Sequence, residues 1–251
     1  VRSEQRAIGA VPRWIAVGLV LAFAAQFAVH LSFAPSRTAA ADLPPAPAAG
    51  ALRAASFGEP EAVARLAMLW LQAFDSSAEN RLPYRELDYD RLIGWLGAIQ
   101  RTDPKSAYPL FAASRIYAEV PDAEKARAAI EFVYREYLEA PRERWPALAH
   151  AALLAKHRLG NLALALRYAR ALRAIADEPG IPLWAAQMEA FVLEDMNELE
   201  AAKVMLGGLL AAGRISDPAE RRFLEARIAE LENRMRAEKQ GNVLRRDSSS
   251  R

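Results

Sequence analysis

Residues 141–179 read PRERWPALAHAALLAKHRLGNLALALRYARALRAIADEP. Two runs with apolar residues three and four apart flank Gly160-Asn161, and a proline bounds each end. That spacing is the signature of amphipathic helices, and a Gly-Asn pair between them breaks the backbone into a turn. The same layout extends on both sides. Proline recurs at 104, 141, 179 and 218, with spacings of 37, 38 and 39 residues, in the contexts TDP, EAP, DEP and SDP. Shortly after the first three come Tyr108-Pro109, Trp145-Pro146 and Pro182 beside Trp184. Proline in a first turn forfeits no helical hydrogen bond, so these predict helix starts. Midway through each unit stands a turn signal, Pro121-Asp122, Gly160-Asn161 or Met196-Asn197, and four residues past each Asp or Asn lies an alanine: Ala126, Ala165 and Ala201.

The pattern predicts first helices over 105–119, 142–159 and 181–196, and second helices over 122–139, 161–177 and 198–213. Further helices are expected at 59–75 and 88–102, with a charged closing helix at 218–239. One helix pair cannot bury its own apolar face, so several must stack side by side. The expected fold is all-α, a right-handed α-solenoid of helix hairpins over residues 59–240. The Gly207-Gly208 pair inside a helix costs about 1 kcal/mol per glycine, and close approach of a neighbouring helix would account for it.

With its turn-plus-alanine signature (Gly160-Asn161-Leu162-Ala163-Leu164-Ala165), its closing prolines, and Ser114 and Tyr117 in the first unit, the chain resembles the tetratricopeptide-repeat (TPR) family. It departs from that family at Leu153 and Glu189, where the family prefers glycine or alanine, and in a period longer than the usual 34. The resemblance implies a concave groove lined by the first helices. By position the groove residues are Tyr108, Phe111 and Arg115 in the first unit, His150, Leu154 and His157 in the second, and Leu183, Ala186 and Leu193 in the third. The leucines fit better as core between neighbouring repeats, and Phe111 has the same competing reading. His150 and His157 stand two turns apart, about 10 Å, too far to share a metal ion.

The N-terminus carries a different signal. From Trp14 to Ala34 the chain runs WIAVGLVLAFAAQFAVHLSFA without a charged residue. Twenty-one residues at a 1.5 Å rise reach about 31 Å, the thickness of a hydrocarbon core. Arg2, Arg6 and Arg13 precede it against a single Glu4. The positive-inside bias places residues 1–13 in the cytoplasm and everything after the span outside. A secretory signal peptide cleaved after Ala41 is the competing reading, but the apolar run is longer than the 7–15 residues typical of such a peptide. Gly18, Ala22, Gln26 and His30 recur every four residues and form a candidate contact face for another membrane helix. Residues 35–58, rich in Ala and Pro, read as a tether, and 241–251 as a disordered tail.

Composition narrows the function. The net charge of +2 resides at the ends: residues 51–240 hold 26 basic against 28 acidic side chains. No basic stripe interleaved with aromatics appears, so nucleic acid is not an expected partner. Zero cysteines exclude disulfide, zinc-thiolate and thiol chemistry. No GxxxxGK[ST], HExxH or GxSxG is present, so no enzyme activity, cofactor or small-molecule substrate is expected. The Arg and Ala excess suggests a GC-rich bacterial genome. The expectation is a single-pass inner-membrane protein whose periplasmic domain binds other envelope proteins as an adaptor, chaperone-like or assembly factor. Its layout resembles periplasmic TPR proteins that accompany the secretion translocon or hold apocytochrome. The alternative is a permanent structural subunit of a membrane complex.

Overall fold

The computed structural model describes residues 13–32, 43–76, 83–213, 215 and 217–249. Every regular element among them is helical: α1 (Arg13–Ser32), α2 (Ala49–Ala54), α3 (Pro60–Ser76), α4 (Tyr89–Thr102), α5 (Tyr108–Arg115), α6 (Ala123–Glu139), α7 (Pro141–His157), α8 (Leu162–Ala174), α9 (Trp184–Asp195), α10 (Leu199–Ala211) and α11 (Pro218–Ser249), with short 3-10 turns at Tyr84–Glu86 and Tyr117–Glu119. From α3 onward each helix packs against the next, and α4 reaches α6 while α5 reaches α7. The all-α expectation therefore holds, and the serial packing is that of an α-solenoid.

Side-chain periodicity drives the stacking. α3 buries Ala64, Met68 and Leu71, α4 buries Leu92, Leu96 and Ile99, and α6 buries Ala126, Ala129, Ile130, Val133 and Tyr137. Each set lies on one helical face, and a fully buried Leu or Ile contributes roughly 1.5–3 kcal/mol. Caps fix where the helices begin. The Asp88 carboxylate accepts from the backbone N–H of Asp90 and Arg91, Asp122 from Glu124 and Lys125, and Asn161 from Leu164. Just before that Asn161 cap, Gly160 adopts φ 58°, a left-handed conformation that glycine takes without strain.

Several local expectations are corrected. Pro141 and Pro218 open α7 and α11, and Pro146 sits inside α7 instead of at its start. The predicted helix 105–119 divides into α5 and the 3-10 turn that follows it. The cap position of α10 is Glu198, not Asn197, so the buried alanine four residues on is Ala202 and Ala201 is exposed. Neither Gly207 nor Gly208 is approached by a neighbour: a Cβ built on either meets nothing within 4 Å.

The largest difference concerns the segment read as a tether. Residues 43–58 fold onto the helical array. Leu43 is fully buried, its carbonyl accepts a 2.6 Å bond from the Arg91 guanidinium, and the Pro44 carbonyl accepts one of 2.9 Å from the Trp95 indole. Gly94 permits this approach, since a Cβ there would stand 3.1 Å from that of Ala46. α2 then packs on α3 and α4, with Arg53 donating to the Arg101 carbonyl at 2.7 Å. At the other end, α11 continues as helix through 241–249, where a disordered tail was expected.

α1 carries the apolar run, and every described side chain on it is exposed, Trp14 at 75% among them. Its described side chains are those of Trp14, Ile15 and residues 17–28. Among the described residues no helix is long and apolar enough to cross a membrane. The arginines at 2 and 6, the His30 side chain, residues 35–42 of the expected tether and the cleavage site after Ala41 lie outside the described residues.

Candidate protein-docking site

Contacts between alternate helices sort the array into two layers. Among the odd-numbered helices, Tyr108 of α5 donates its hydroxyl proton to Gln72 Oε1 of α3 at 2.5 Å. Trp145 of α7 meets Trp184 of α9 edge-on at 5.4 Å, and Phe191 of α9 meets Phe223 of α11 at 6.5 Å. The even-numbered helices have their own links: Tyr137 of α6 donates to the Ala171 carbonyl of α8 at 2.7 Å, and Glu131 pairs with Arg167.

The two layers differ in what they leave uncovered. Large apolar side chains are exposed on the odd-numbered helices at Leu66, Leu69, Trp70, Phe111, Leu153, Trp184 and Phe223, but on α6, α8 and α10 only at Leu138 and Val204. Scattered exposed leucines are normal on a protein surface, whereas a concentration of them on one layer makes that layer the candidate docking face.

Two of the groove residues carried over from the resemblance meet in one place. Phe111 and Arg115 of α5, with Pro146 and Ala147 of α7, line a pocket of about 180 Å³. Phe111 is 53% exposed. The half-buried His150 lies one turn farther along α7 and feels Arg115. Burial and then that guanidinium hold its pKa below the usual 6.5, against the opposing pull of Glu119 and a hydrogen bond to the Ser114 backbone. Its Nε2 is buried without a hydrogen-bond partner among the described residues.

Other groove residues lie elsewhere. Leu154, Ala186 and Leu193 are buried in the core, at 8%, 2% and 6% exposure. The reason is geometric. α7 is packed by α5, α6 and α8, which leaves one open strip through Glu143, Pro146, His150, Leu153 and His157, spaced three and four apart. Leu154 stands about 100° around the helix from Leu153 and turns inward. Leu183 is half-buried against the core, and His157 is exposed. Leu66, Leu69, Trp70, Leu153, Trp184 and Phe223 are the members of the row that sequence reasoning missed. For Leu66, Leu69 and Trp70 the signal was present in VARLAMLWLQAF, which is apolar on more of its circumference than one buried face requires.

Glu189, the other departure from the repeat pattern, is buried and pairs with Arg170 at 3.1 Å and Arg173 at 3.7 Å. It joins α9 to α8 and takes no part in the open face. On α1, Gly18, Ala22 and Gln26 are exposed like every other described side chain there, so nothing singles out that stripe.

No family model matches the chain, and neither the curated proteins nor the solved structures contain a significant match.

Proposed function

We propose that this protein is a membrane-anchored helical adaptor, TPR-like in its repeat design, that holds other proteins on the open face of its odd-numbered helices. One observation carries the reading: from Leu66 to Phe223, the large exposed apolar side chains of the packed array concentrate on its odd-numbered helices, with Leu138 and Val204 the exceptions on α6 and α10. Exposed aromatic and aliphatic side chains on rigid helices supply the anchor points that peptide and helix partners use. On this reading the uncharged run from Trp14 to Ala34 is the anchor, and the arginines ahead of it favour a periplasmic array at a bacterial inner membrane. Tethering raises the local concentration of the docking face for chains emerging at that membrane.

The test is affinity purification of the full-length protein from its native membranes, beside a Leu69→Asp, Leu153→Asp variant. Both positions are exposed, so the variant keeps its helical circular dichroism and melting behaviour. Under the adaptor reading it loses the wild-type partners. Retention of the same partners at fixed stoichiometry refutes docking on this face and identifies a structural subunit held by other surfaces.

A further inference from the structure

The pocket beneath Phe111 does not end at α5. Pro104, Lys105, Glu143 and Arg144 line it and also line an open cleft of about 1090 Å³ that runs between α2, the end of α4 and the α6–α7 junction. The two lobes form one depression, separated by the turn that leads from α4 into α5. Gln100, 1% exposed, holds that turn in place: its Nε2 donates to the Pro104 and Ser106 carbonyls, each at 3.1 Å. Arg144 fixes the other side, bonding the Glu136 carbonyl at 2.6 Å and its carboxylate at 2.9 Å.

The charge of this depression opposes that of the domain around it. Residues 51–240 are acidic by two charges, with 26 basic and 28 acidic side chains. The linings of the two lobes hold Arg53, Arg101, Lys105, Arg115, Arg142 and Arg144 against Glu136, Glu139 and Glu143. Arg144 is neutralised by Glu136, and Arg142 stands 3.7 Å from Glu178. Arg53, Arg101, Lys105 and Arg115 have no carboxylate within ion-pair distance among the described residues, and Glu139 and Glu143 no cation, which leaves the lining an excess of two positive charges. The smaller lobe differs in kind. Ala107, Leu110, Phe111, Pro146 and Ala147 give it an apolar lining, and an apolar cavity of about 150 Å³ is known to take a benzene ring.

We propose that this depression binds an extended acidic peptide segment of a partner protein. One bulky apolar side chain of the segment fills the lobe under Phe111, and flanking carboxylates lie on Lys105, Arg115, Arg101 and Arg53. The site rests on the protein-docking reading and gives it a sequence preference. Unpaired cations around an apolar socket select for that combination, because either feature alone leaves half of the surface unsatisfied.

The probe is a fluorescein-labelled peptide, Glu-Asp-Phe-Asp-Glu, with companions carrying Leu or Met at the centre. Fluorescence anisotropy is read against the full-length chain in detergent. Saturable, salt-sensitive binding is expected. Replacing the central residue by Ser, or the acids by their amides, weakens it by about tenfold or more. A Lys105→Glu, Arg115→Glu variant loses it, and so does Ala147→Trp, which fills the socket without touching a charge. Both variants keep the wild-type melting temperature within a few degrees. Absence of saturable binding to the wild type, or binding indifferent to Ala147→Trp, overturns the proposal. Membrane pull-downs separate this failure from that of the docking reading. Partners lost with Leu69→Asp, Leu153→Asp but kept with Lys105→Glu, Arg115→Glu leave the open face standing and remove only this site.

Discussion

His150 carries the clearest electrostatic signature on the open face of the odd-numbered helices. It is half-buried on the open strip of α7, its Nε2 has no partner among the described residues, and Arg115 stands nearby. Burial and the guanidinium both disfavour the imidazolium, so the folded pKa lies below the ordinary 6.5. The unfolded chain then takes up a proton first as the pH falls through 6.5, and folding stability contributed by neutral His150 is lost toward the folded pKa. NMR titration of the imidazole is expected to give a pKa under 6.5, and Arg115→Ala to move it upward. A value unchanged by that substitution would show that the guanidinium does not act on the ring. The neighbouring positions also mark the limit of what periodicity reveals. Leu153 and Leu154 are chemically identical and adjacent, yet one is 46% exposed and the other 8%. Which of them faces out depends on where α5 and α8 sit against α7, and the pattern within one helix does not contain that information.

Helices as units were far more legible than faces. Asp88, Asp122 and Asn161 end a turn and begin a helix by a local mechanism, a side-chain oxygen accepting from the first free N–H groups, and a local mechanism can be read from a few residues. Where the chain relies on long-range contacts, the reading failed. The Pro- and Ala-rich residues 43–58 have too little apolar surface to fold alone, but Leu43 finds a place in the core and Gly94 leaves room for the chain beside it. Neither partner is visible within the segment. If 43–58 belongs to the folded unit, Leu43→Ala should cost about 2–5 kcal/mol in denaturant-monitored unfolding, the range for emptying a fully buried leucine site. A change of a few tenths of a kcal/mol would mean that the segment is a tether after all.

Each helix of the array packs on its first and second neighbours, so the last helix rests chiefly on what α9 and α10 offer it. Leu224 and Leu231 of α11 are fully buried, and a polar clamp adds to that apolar seam. Glu194 of α9, 6% exposed, accepts from Arg227 Nε at 3.0 Å and from its terminal nitrogen at 2.6 Å, and from Arg234 at 2.7 Å. Gln187 donates to Glu220 at 2.7 Å about two turns away. The two sides of this clamp are unequal, because the carboxylate is buried while the arginine side chains are 31% and 40% exposed. Removing the acid leaves cations that water can reach. Removing both arginines strands a buried charge, which costs about 3–5 kcal/mol when nothing compensates it. Arg227→Ala with Arg234→Ala is therefore expected to destabilise α11 more than Glu194→Gln does. Because coupling in a stacked array passes from neighbour to neighbour, the loss should stay local. Hydrogen exchange read by mass spectrometry is expected to speed up across α11 and the adjoining face of α9, with α3 to α6 unchanged. Equal acceleration along the whole array would show instead a single cooperative unit, in which one end of the open face could not loosen while the other stayed ordered.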